Sequence, residues 1–174
     1  MLDSLLRLLR GPEGHPLHPP LTDATLGAFT TGAIAVFLAW IGIAERSLSV
    51  AGYLAIVIGL VLSVPTILTG FADYVRLRRG TALWRTASLH WLVMVPAVGV
   101  FLVAAALLQD AWDERRVEAA GALVALAGEG LLLLGGWLGG TVVFVHGMRV
   151  LDLRDKPAAE AIAPHGAEDG RPTR

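Results

Sequence analysis

Residues 50–73 read VAGYLAIVIGLVLSVPTILTGFAD, and from Val50 to Ala72 the stretch holds no charged side chain. About 20 helical residues cross a hydrocarbon core. A run that is apolar on every side cannot be the surface helix of a soluble domain. Three more runs share this character, at residues 24–44, 87–108 and 119–147. The expected fold is therefore all-α, an integral membrane four-helix transmembrane bundle.

Composition agrees. Of 174 residues, 55% are hydrophobic and 17% charged, and the mean hydropathy is +0.62. A soluble domain carries about 25% charged residues. The net charge is −1, which implies no nucleic-acid partner; the partner implied is the lipid bilayer. Cysteine is absent, so this chain offers no thiolate metal site, c-type haem attachment or all-cysteine iron–sulfur cluster.

Four crossings put both termini and the second inter-span loop on one side. That side carries Arg7, Arg10, Arg76, Arg78, Arg79, Arg85, Arg149, Arg154, Lys156, Arg171 and Arg174. The other side carries only Arg46, Arg115 and Arg116. Basic residues favour cytoplasmic loops, which predicts a multi-pass protein of the cell (inner) membrane with both termini cytoplasmic.

The opening MLDSLLRLLRG is too short in its apolar part for a signal peptide. Leu2, Leu5, Leu6 and Leu9 share one helical face, opposite Asp3, Ser4, Arg7 and Arg10. Residues 1–13 are thus expected to form a short interfacial helix on the cytoplasmic leaflet, with a frayed tail as the alternative. Residues 14–151 form the four-span domain. Residues 152–174, rich in Ala, Pro, Gly and charge without periodicity, are expected to be a disordered cytoplasmic tail, and His165 within it a solvated bystander.

Polar residues gather at one end of the spans. His15 and His18 precede span 1 in GHPLHPPL (residues 14–21), Asp73 and Tyr74 end span 2, Arg85 and His90 open span 3, and His146 closes span 4. Spans alternate in direction, so four of the five histidines are expected in one layer at the cytoplasmic end. Proline fixes its own φ and disfavours helix in the residue before it. HPLHPP is therefore expected to be an extended, stiff segment folded over the bundle mouth. Gly59, Ser63, Thr66, Gly70 and Asp73 fall on one face of span 2. Gly135, Gly139, Val142 and His146 form a stripe on span 4. Small residues let membrane helices approach closely; the sharper reading is that glycine clears room for a flat cofactor beside His146. Ionisable residues at membrane depth are costly and mark functional sites. His90 and His146 are expected to face inward.

GHPLHPPL, TGFADYVRLRRGTALWRTASLH (residues 69–90) and GGWLGGTVVFVHG (residues 135–147) together resemble the family called Domain of Unknown Function 2231, a predicted four-helix membrane domain. The resemblance covers roughly residues 14–151. Its motifs fall on His15, His18, Asp73, Arg85, His90, Gly139 and His146. Family members often carry a His-Phe pair soon after the first motif; LTDAT, with Asp23, stands there instead. Some members are joined to a Rieske iron–sulfur domain, which implies electron transfer and a Rieske-type or other redox partner.

Three functions follow. The first is electron transfer through haem b, with His90 and His146 as axial ligands, Asp73 or Tyr74 behind them and Arg85 on a propionate. The second is a zinc or iron ion held by His15, His18, His90 and His146, with hydrolytic or oxidative chemistry. The third is a non-catalytic membrane subunit whose polar layer holds the bundle together or docks a partner. Homo-oligomerisation stays open. Glu129 lies 17 residues from His146, about 25 Å along a helix, and belongs to no such layer. It reads as a neutral or paired carboxyl towards the outer leaflet, with a proton path or quinone contact as the functional alternative.

Overall fold

The structure, a computed structural model, describes residues 2–12 and 14–162. His165 lies outside them. The elements are α1 (Leu2–Arg10), α2 (His18–Trp40), α3 (Glu45–Tyr74), α4 (Ala82–Leu107), α5 (Ala111–Glu114), α6 (Ala119–Gly140) and α7 (Ala158–Ile162). A π-helical turn, Thr141–Val145, follows α6 without a break. No strand occurs among the described residues. Four helices are long and apolar enough to cross a membrane: α2, α3, α4, and α6 with its π-turn. The exposed helix α7 lies in the segment expected to lack structure.

Helix starts differ from the hydropathy limits for local reasons. Helix α2 begins at His18 instead of residue 24, because Pro19 and Pro20 occupy its first turn, where no amide hydrogen is needed. Only the residues before His18 are non-helical, so HPLHPP is not extended throughout. Helix α4 begins at Ala82, where Thr81 accepts from the Trp84 amide at 3.1 Å, a side-chain N-cap.

Helix α2 packs chiefly on α3, and α4 chiefly on α6, forming two hairpins. Glycine sets the first seam. A Cβ on Gly32 would lie 3.0 Å from the Ile56 amide nitrogen, and one on Gly52 2.9 Å from that of Val36. The two backbones touch, as small residues permit in a membrane. The hairpins meet through Phe29 and Phe101, stacked at 4.1 Å. Phe29 rests on Gly59 and Phe101 on Gly128. Val36, Ile56, Ala104, Ala122, Ala125 and Leu132 complete the core. Large apolar side chains on the outer surface, such as Leu92, Leu102, Leu133 and Trp137, suit lipid contact.

Helix α1 lies against α3, tied by Arg76 to Asp3 at 2.6 Å. Leu6 and Leu9 are partly buried, whereas Leu5 and Leu8 are exposed. The leucines are thus divided between two faces.

Candidate functional site: a cavity between the hairpins

At the end of the bundle that carries α1, the hairpins part around a cavity of about 420 Å³. Its wall includes His18 and Gly70 from the first hairpin and His90, Met94 and Gly139 from the second. Asp73 and Arg149 also line it. The volume is that of a small-molecule or cofactor site, about 300–1,000 Å³.

Both histidines are fixed in the same way. His18 Nδ1 donates to the Thr66 carbonyl at 3.0 Å, and His90 Nδ1 donates to the Gly135 carbonyl at 2.8 Å. A carbonyl only accepts, so Nδ1 carries the hydrogen and, in the neutral ring, Nε2 keeps its lone pair. The Thr22 hydroxyl, which donates to the His18 carbonyl at 2.8 Å, stands 3.4 Å from His18 Nε2. Each ring also lies on a glycine. A Cβ on Gly70 would meet His18 Cε1 at 2.7 Å, and one on Gly139 would meet His90 Cε1 at 3.0 Å. Every anchor comes from the other helix of the same hairpin.

The span 4 stripe ends differently from its expectation. Gly139 makes room for the His90 ring, not for a group beside His146. The π-turn inserts a wider turn before His146, and this shifts the residue around the helix from its α-helical position. Its side chain is not in the cavity wall. Thr86 donates to the Ala82 carbonyl at 3.2 Å, which leaves its Oγ1 to accept from His146 Nε2 at 2.9 Å. His90 and His18 therefore line one cavity, and His146 does not.

Of the other expected residues, Asp73 and Tyr74 also line the cavity but are bonded elsewhere. Asp73, only 6% exposed, accepts at Oδ1 from Arg10 Nε at 2.8 Å and from Arg149 Nη1 at 2.9 Å. Arg149 also donates to the carbonyls of Arg10, Gly11 and Pro12, at 2.8, 3.3 and 3.1 Å. This knot ties the end of α1 to the bundle. Tyr74 is bonded to Ser88 at 2.9 Å. Arg85 and His15 are exposed and outside the cavity wall. Among the described residues, no three His, Asp or Glu side chains gather as a metal ion would need. The four-histidine set of the metal reading is therefore not assembled.

Glu129 Oε1 accepts from the Thr30 hydroxyl at 3.0 Å. Its Oε2 is buried without a partner. It does not line the cavity.

Sequence reasoning missed Arg10 and Arg149 as partners of Asp73, and the carbonyls of Thr66 and Gly135. A buried aspartate at a span end does call for a cation, but eleven basic residues on that side left the choice open.

These features define an all-α membrane protein of four spans with a histidine-lined cavity at one end. The chain belongs to the family described as a predicted membrane protein, DUF2231, whose model matches residues 14–152. That stretch holds every lining residue of the cavity and leaves out α1. No curated protein and no solved structure matches the chain.

Proposed function

We propose that this protein is an electron-transfer subunit of the cell membrane that holds b-type haem between His18 and His90, with both termini cytoplasmic. One observation carries the reading: two imidazoles on separate hairpins face one cavity, each with Nδ1 held by a backbone carbonyl. Metal-ligating histidines almost always donate their second ring nitrogen in this way, which sets the tautomer and the ring orientation. The residues fit the group, since a b-type site in a bundle needs two imidazoles and an apolar slot and no third ligand.

When bound, haem supplies one-electron chemistry at a potential set by its axial ligands and their surroundings. The chain does the rest. Thr66 and Gly135 hold the two rings, Gly70 and Gly139 admit them, and Phe29, Met94 and Val98 keep water from the inner end. The redox partner would be a Rieske-type or other electron-transfer protein, in line with the family resemblance. The uneven distribution of basic residues supports the orientation.

The test is the absorption spectrum and metal content of protein purified in detergent from haem-replete cells. The expected result is a Soret band that is lost in His18→Ala and in His90→Ala and kept in His146→Ala and His15→Ala. A colourless wild-type protein, or a band that survives both inner substitutions, would overturn the reading. Zinc or iron without haem would favour the ion instead. Neither would leave a structural or docking subunit.

A further inference from the structure

We propose that the end of the bundle bearing α1 binds anionic phospholipid headgroups through Arg7, Arg78, Arg79 and Arg85. The proposal starts from which charges at this end already have partners. Asp3 is paired with Arg76, Asp73 with Arg10 and Arg149, Asp152 with Arg154, and Glu160 with Lys156. Among the described residues this leaves Arg7, Arg78, Arg79 and Arg85, all exposed and without an acidic partner. Among the described residues, Asp23 and Asp155 are the acids at this end in the same condition. The surface is separate from the histidine cavity and does not rest on the haem reading.

The four residues sit at or beside the ends of the spans. Arg78 and Arg79 are on the α3–α4 loop, and Arg85 is in the first turns of α4. Arg7 is on α1, which the Asp3–Arg76 pair clamps to that loop. Asp3 and Arg7 are four residues apart, so they share a helix face. The loop is itself ordered. Gly80 takes a φ of +82°, and the Thr81 hydroxyl donates to the Arg78 carbonyl at 2.8 Å while accepting from the Trp84 amide. Apolar side chains accompany the cations: Leu5 and Leu8 are exposed on α1, and Trp84 adjoins Arg85. Cations beside leucine and tryptophan mark a boundary between acyl chain and headgroup. Guanidinium groups match a phosphate bidentately. A lipid phosphate is favoured over a free one because Arg78, Arg79 and Arg85 sit at the ends of the spans α3 and α4.

The experiment measures lipid binding to the full chain in detergent, by native mass spectrometry, with phosphatidylglycerol against phosphatidylcholine. A preference of about tenfold or more for phosphatidylglycerol is expected at low salt, shrinking as salt rises. The quadruple variant R7Q/R78Q/R79Q/R85Q should lose the preference while its thermal unfolding midpoint in detergent stays as in wild type. The matching Lys variant, which preserves charge, should keep most of it and serves if the Gln variant does not fold. Equal binding of the two lipids by wild type would overturn the proposal and leave the patch to an acidic protein surface. A Gln variant that keeps the full preference would also overturn it. Competition by inorganic phosphate as effective as by the lipid would overturn the lipid as the source.

Discussion

The chemistry of the site rests on which nitrogen each imidazole presents. Both Nδ1 atoms are held by carbonyls of the neighbouring helix, so no side-chain change removes the anchor. The glycine seats can be changed. Gly70→Ala would place a Cβ 2.7 Å from His18 Cε1, so the ring must shift from its carbonyl. Perturbing the support of a ligating histidine typically costs about 10–100-fold in affinity. Haem titration of the purified protein should show a loss of that order for Gly70→Ala. An unchanged affinity would mean that the seat does not set the ring. Asp73 acts on stability instead. Asp73→Ala leaves Arg149, 15% exposed, without its carboxylate. Breaking a buried pair in this way costs about 3 kcal/mol, and the unfolding free energy should fall by that amount while haem content is kept.

At the scale of elements, the two hairpins depend on glycines that the structure separates into classes. Gly32 faces backbone and Gly27 faces nothing within 4 Å. Gly32→Ala should lower stability by about 1–3 kcal/mol through overpacking. Gly27→Ala should raise it slightly, since alanine is the better helix former by about 1 kcal/mol. Unfolding of both variants in mixed micelles checks the pair, and equal effects would refute the distinction. Much of this level was legible in the sequence. The four spans follow from hydropathy, and of the stripe Gly59, Ser63, Thr66, Gly70 and Asp73 all but the half-buried Gly70 are buried on one face of α3 as the spacing implies. Two places were not legible. Proline disfavours a helix interior but a first turn tolerates it, so Pro19 and Pro20 start α2 and His18 lies on the helix, not on an extended segment. The α-helical period implied by the glycine stripe does not hold through Thr141–Val145, where a π-turn shifts His146. A local change of helical pitch leaves no mark in hydrophobic spacing.

For the whole molecule, each hairpin prepares one imidazole by itself and the cavity lies on the seam between them. A group bound to both rings would bridge α2–α3 and α4–α6, which otherwise meet mainly through the Phe29–Phe101 stack and fewer helix contacts. Ligand held by the folded state alone adds about 2.7 kcal/mol at a hundredfold excess over Kd. Haem-loaded protein should therefore unfold at a higher temperature than haem-free protein, and the difference should vanish in His18→Ala. Reporter fusions at both ends should score cytoplasmic, and periplasmic signals would reverse the orientation. The most direct measurement is the electron paramagnetic resonance spectrum of the oxidised, haem-loaded protein. Ligation by both His18 and His90 predicts a low-spin ferric signal in wild type, lost together with the haem in His90→Ala. A high-spin wild-type spectrum, or a low-spin signal unchanged in His90→Ala, would contradict the account.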